Sequence, residues 1–297
     1  MLAGLAGCAF SDPRIDGPAP SSWLEPGFAA DLADMGTKLG SAWSAVAGLA
    51  RDAPADSPLA RMTQVVESQW RVVIGPDPVN RVPNTRADPG EPAAVTDTTD
   101  GLAKADAACA TVRDTAQANA GKTAGITAAW WASLAAGAEQ VRRGLQGAYD
   151  SPSPVDPGVT IALTELQTAL PDLISRHQEG IFVLRTAMGF LTADADRAVF
   201  QSALSTLQSE LAALTDQAAS RGVTPPTSPG IYELPGGRDS QAAMALLASV
   251  QQSLVEAAVV WVAATDDPAR AVPYVMSAAT LGSALGIGTA VWPGWPD

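Results

Sequence analysis

Positive charge is the scarcest resource in this sequence. Its 297 residues hold 18 Lys+Arg against 31 Asp+Glu, a formal net charge of −13, and no cationic cluster exceeds the pair Arg142-Arg143. Neutralising a nucleic-acid backbone needs a row of cations, so nucleic-acid binding is not expected. The same shortage argues against a polybasic membrane-surface site. Histidine occurs once, at His177, which removes the residue on which most metal centres and acid–base catalysts depend. Cysteine occurs twice, at Cys8 and Cys109, too seldom for a disulfide framework. The phosphate-loop, dinucleotide and nucleophile-elbow glycine patterns are missing. No apolar run reaches the roughly 18 to 20 residues of a membrane span.

What remains is a globular composition, 47% hydrophobic and 16% charged. Apolar residues recur at helical spacing through nearly the whole chain. Phe200, Leu204, Leu207, Leu211, Leu214 and Ala218 fall on one helix face, as do Leu247, Val250, Leu254, Ala257 and Trp261. Leu163, Leu166, Leu170, Leu173, His177 and Leu184 form a third seam, which Pro171 interrupts. No segment sustains the period-two alternation of a strand, so the fold class is all-α. Ser57-Pro58, Asp156-Pro157 and Asp267-Pro268 each set a capping side chain before a proline at the first helical position. Helices are predicted over about 27–51, 57–74, 98–119, 122–149, 159–191, 194–221, 239–265 and 268–290.

The connections carry topology. In each half the outer pairs of helices are joined by short turns, while the middle link, 75–97 or 222–238, is long. A helix of about 25 residues is about 38 Å long, a distance that a link of this size can run. One long crossover between two hairpins is the connectivity of a ferritin-like bundle. It is expected in the C-terminal half, 151–297, with a second and similar helical bundle in 23–150. Residues 151–158, with three prolines, form the joint.

Leu5-Ala6-Gly7-Cys8 resembles the lipobox of bacterial lipoproteins, and residues 9–20 have the composition of the tether that follows one. Residues 1–22 are therefore expected to be a lipidated start and tether, with Cys8 as the acylated residue. The expected location is extracytoplasmic, with membrane contact only through that anchor. A signal peptide needs a basic region and a longer apolar one, so the precursor start is expected upstream of Met1.

The C-terminal half also resembles a ferritin-like domain of unknown function found in secreted and lipid-anchored actinobacterial proteins. The matching residues are Thr164-Glu165-Leu166-Gln167 through His177, the crossover Thr224-Pro225-Pro226 with Tyr232-Glu233-Leu234-Pro235, the stretch around Trp261, and Trp292-Pro293-Gly294. The resemblance implies a Glu-His pair facing the bundle interior, but Arg176 stands at the glutamate position and only His177 remains.

A di-iron site needs a Glu from each of two helices and a Glu-x-x-His from each of two others. This chain has no Glu-x-x-His, and its last helix has no Asp, Glu or His after Asp267. No metal, cofactor or catalytic set is expected. Glu210 flanks its apolar stripe, and Glu256 points away from its own. Four residues are candidates for a ligand or partner contact. His177 sits on an apolar stripe, where a core histidine bonded to a backbone carbonyl or polar neighbour is the simplest account. Trp131 is in step with Leu134, Ala138, Val141 and Leu145, so Trp130 is expected to point elsewhere, between the halves or onto an exposed surface. Trp292 and Trp295 would lock the tail onto the bundle. Cys109 reads as a buried, inert thiol.

Three functions are compatible with this. The foremost is a non-catalytic envelope lipoprotein that acts as a structural or protein-interaction scaffold with a protein partner in the envelope. The others are a ferritin-like metal or redox protein and a small-molecule carrier with an apolar groove between the halves.

Overall fold

A computed structural model of the chain describes residues 28–79, 83–147, 165–232, 237–287 and 291–294. Its described residues form eight α-helices. They are α1 (Phe28–Ala50), α2 (Pro58–Val73), α3 (Thr98–Ala120), α4 (Gly125–Leu145), α5 (Leu166–Ala187), α6 (Asp194–Ser220), α7 (Ser240–Ala264) and α8 (Pro268–Thr280). Short 3-10 turns follow α5 (Met188–Phe190) and α8 (Ser283–Leu285). The all-α class is therefore observed directly. The joint at 151–158 lies outside the described residues.

The helix ends follow from local chemistry. Ser57, Asp97, Asp239 and Asp267 each accept a backbone N–H three residues on, at 3.2, 2.8, 2.8 and 3.3 Å. At the end of α6, Val223 N–H reaches Ala218 O and Gly222 N–H reaches Ala219 O, and Val223 is buried. Pro171 sits inside α5 without ending it.

Three predicted spans are corrected. Helix α5 begins at Leu166, with Glu165 extended before it, and not at 159, and it gives way after Ala187 to a 3-10 turn. Helix α4 begins at Gly125, later than position 122, after a turn through Gly121 and Lys122. Helix α8 stops at Thr280, ten residues before the predicted 290, and the chain tightens into the 3-10 turn. Gly286 follows it in the left-handed region, at φ 75°, where a side chain would be strained and a continuing helix is impossible.

Packing within each half follows one order. In the first half α1 packs on α2 and α3, and α4 packs on α3 and α2, which closes a four-helix ring. In the second half α5 packs on α6 and α7, and α7 on α8. Helix α6 rests mainly on α5 and on the turn Ser283–Leu285. The halves are joined because α4 also packs against α7 and α8. One continuous apolar core runs through both. Against the expectation that no run is long and apolar enough for a membrane span, a window of α7 meets that test by length and composition, yet more than half of it is buried in this core.

Helix α4 explains why the halves cannot be separated cleanly. Every residue from Thr127 to Val141 is buried, so the helix has no solvent face. Its many alanines let neighbours approach closely. At Gly137 even a methyl group is excluded, because an added Cβ would sit 2.2 Å from Gln69 Nε2 and 2.8 Å from Val291 O.

Candidate functional site

The tryptophans come together at the junction of the halves. Trp130 and Trp131 are both fully buried, with ring centroids 4.7 Å apart. The expectation that neighbours on one helix cannot share a core fails here, because α4 is wrapped on all sides. Trp130 stacks on Trp292 at 5.5 Å and donates its indole N–H to Pro78 O at 2.9 Å. Phe28 packs edge-on against both Trp130 and Trp131. Trp130 thus lies between the halves, and the exposed alternative is excluded. Trp292 is buried and holds the tail, while Trp295 and Cys8 lie outside the described residues.

Side-chain amides anchor the tail and the end of α8. Gln69 donates to Val291 O at 2.8 Å, and Gln140 and Gln251 both donate to Ala279 O at 2.8 and 2.7 Å. The last carbonyls of α8 have no partners within their own helix, and these amides supply one.

His177 is buried in the interior of the second half. Its Nδ1 lies 2.8 Å from the Leu173 carbonyl, which can only accept, so Nδ1 carries a proton. Its Nε2 lies 3.2 Å from Glu210 Oε2. That contact is a hydrogen bond only with a second proton between the two groups, on the ring or on the carboxyl. Tyr274 of α8 packs edge-on against His177 and against Trp261, at 6.5 and 5.1 Å. Burial, then the nearby Glu210 carboxylate, push the Tyr274 hydroxyl above its ordinary pKa, against Arg270. The apolar stripes placed His177 inside and Glu210 at the edge of its stripe. Their meeting was invisible, since no short-range pattern links residues on separate helices. Tyr274 had no sequence signal at all.

A second buried charge was also missed. Glu139 on α4 has 8% of its side chain exposed and is gripped by three guanidinium groups. Arg113 Nη1 and Arg142 Nε donate to Oε2 at 2.8 and 2.9 Å, and Arg143 Nε donates to Oε1 at 2.9 Å. Burial alone would raise the Glu139 pKa, but the three guanidinium hydrogen bonds outweigh it and hold the carboxyl below its ordinary range. Arg142 and Arg143 fall three and four residues after Glu139, a helical spacing that could have indicated the cluster. The contribution of Arg113 could not have been read locally.

Among the described residues, no group of three or more His, Cys, Asp or Glu side chains lies close enough to hold a metal ion. Cys109 is buried and free, and burial, with Asp106 nearby, pushes its thiol pKa up to about 12. Two grooves lie where the halves meet. One, of about 450 Å³, runs between the end of α3 and α8 beside Lys122 and Pro273. The other, of about 510 Å³, lies between α6 and α8 and includes Arg143. Neither is lined by tryptophan. Comparison with protein-family models, curated proteins and solved structures yields no match to this chain.

Proposed function

We propose that the protein is a non-catalytic, lipid-anchored component of the cell envelope that serves as a structural or protein-interaction scaffold. On this reading the second half is a ferritin-like bundle without a di-iron site, and the first half is a second helical bundle packed against it. The observation that carries the proposal is how the buried polar groups are used. Gln69, Gln140 and Gln251 brace backbone carbonyls, three arginines hold Glu139, and His177 ties Leu173 to Glu210. Each holds one element against another, as a rigid support requires. The shared packing order, with α1 on α2 and α3, and α5 on α6 and α7, supports the ferritin-like connectivity. Leu5-Ala6-Gly7-Cys8 supports the anchor.

The test is metabolic labelling with a fatty acid, followed by detergent phase partitioning of the native protein. The wild type is expected in the detergent phase with label, and Cys8→Ser in the aqueous phase without it. Elemental analysis of the same protein, purified without chelators, supplies the opposing result. Stoichiometric iron or manganese would overturn the scaffold reading in favour of a metal or redox protein.

A further inference from the structure

The groove between α6 and α8 has a chemistry unlike the rest of this acidic molecule. Hydroxyls of Ser202 and Thr206 line it from α6, and those of Ser277, Thr280 and Ser283 from α8 and its following turn. Arg143, from the last turn of α4, completes the lining, and no carboxylate takes part although the chain carries 31 acidic residues. One group there has unused hydrogen-bonding capacity, beside Ser283, which is 7% exposed and lines the groove. Arg143 is 45% exposed and spends only Nε on Glu139, which leaves the two terminal nitrogens of the fork unbound among the described residues. A guanidinium with both ends of its fork free is built for a planar or tetrahedral anion.

We propose that this groove binds a small polyol carrying one anionic group, a phosphorylated or carboxylated sugar. The anionic group sits on the Arg143 fork, and the ligand hydroxyls exchange hydrogen bonds with Ser277, Ser283 and Ser202. The direction follows from charge: the C-terminal end of α8 is the negative end of its dipole and disfavours an anion, so the charge goes to Arg143. A volume of about 510 Å³ suits a ligand of this size.

The test is a chemical-shift titration of the isotope-labelled full chain with glucose 6-phosphate, and separately with glucose and with inorganic phosphate. Glucose 6-phosphate is expected to give saturable shifts at the amides of Ser202, Thr206, Ser277 and Ser283, with both partial probes weaker. Arg143→Gln should weaken binding about tenfold, as expected for loss of a charged, two-pronged contact. Ser202→Trp, at an exposed position on the rim, should block it while leaving the remaining spectrum in place. No saturable shift with any probe would overturn the site. Equal affinity for inorganic phosphate would overturn the polyol assignment, and shifts unchanged in both variants would mean adventitious surface binding only.

Discussion

The two halves share an order of helix packing and differ in how they close and how they hold buried charge. In the first half α2 packs on α4 and the ring is complete, whereas in the second α6 and α8 are parted by a groove. Glu139, in the first half, is fixed by three guanidinium groups that stay charged at any ordinary pH. His177 and Glu210, in the second, are joined only while a proton lies between them. The lesson is that similar helical frameworks can be braced rigidly in one place and left open in another. The difference rests on a few side chains, not on the helices.

The largest effect should come from breaking the junction itself. Trp130→Ala removes a fully buried indole stacked on Trp292 and should cost about 3–5 kcal/mol in chemical denaturation. A loss below about 1 kcal/mol would mean that this cluster does not hold the halves together.

Next in size is the charge in the first half. Glu139→Ala leaves three guanidinium groups facing one another and should cost about 2–4 kcal/mol. The pH dependence gives a sharper test. The Glu139 carboxyl is held below its ordinary range in the folded protein, so its contribution is complete above the unfolded carboxylate pKa. It is lost as pH falls through the lowered folded value. Acid titrations of stability for wild type and Glu139→Gln should therefore converge toward low pH and separate toward neutrality.

A smaller effect is expected in the second half. A double-mutant cycle between His177→Phe and Glu210→Leu should give a coupling of about 1 kcal/mol, as for one buried hydrogen bond. If this coupling exceeded that between Glu139 and Arg142, the contrast between the halves would be reversed. The smallest expected signal is the reactivity of Cys109. With Cys8→Ser as background, its thiol, pushed up to about 12 by burial, should resist alkylation at neutral pH until the protein is unfolded.

Much of the fold was legible because its determinants are local. The caps at Ser57 and Asp267 and the stop at Gly222 are built from residues within one turn of each other. Of the predicted stripe, Phe200, Leu204, Leu207, Leu214 and Ala218 are buried, and Leu211 is half-buried against the same core. His177 inside the bundle was legible for the same reason, and its Leu173 carbonyl partner lies one turn away. The misread regions are those where spacing stops discriminating. Helix α4 has small or apolar residues on every side, so no stripe could reveal its orientation or bring Trp130 and Trp131 into one cluster. The predicted run to 290 carried enough alanine and leucine to resemble helix, but Gly286 turns the backbone left-handed.

By itself, the sequence determined the number and order of the helices and the capped starts at Ser57 and Asp267, which stripes turn inward, and that cations and histidine are too scarce for several chemistries. These are consequences of backbone hydrogen bonding, capping and periodic burial, all of which act over a few residues. Only the tertiary structure decided that α4 serves both halves, that Arg113 reaches Glu139, that Glu210 meets His177, and that Arg143 joins α6 and α8 at a groove. Those pairings join residues far apart in the chain. They are selected by how whole helices fit together, and no local pattern encodes that fit.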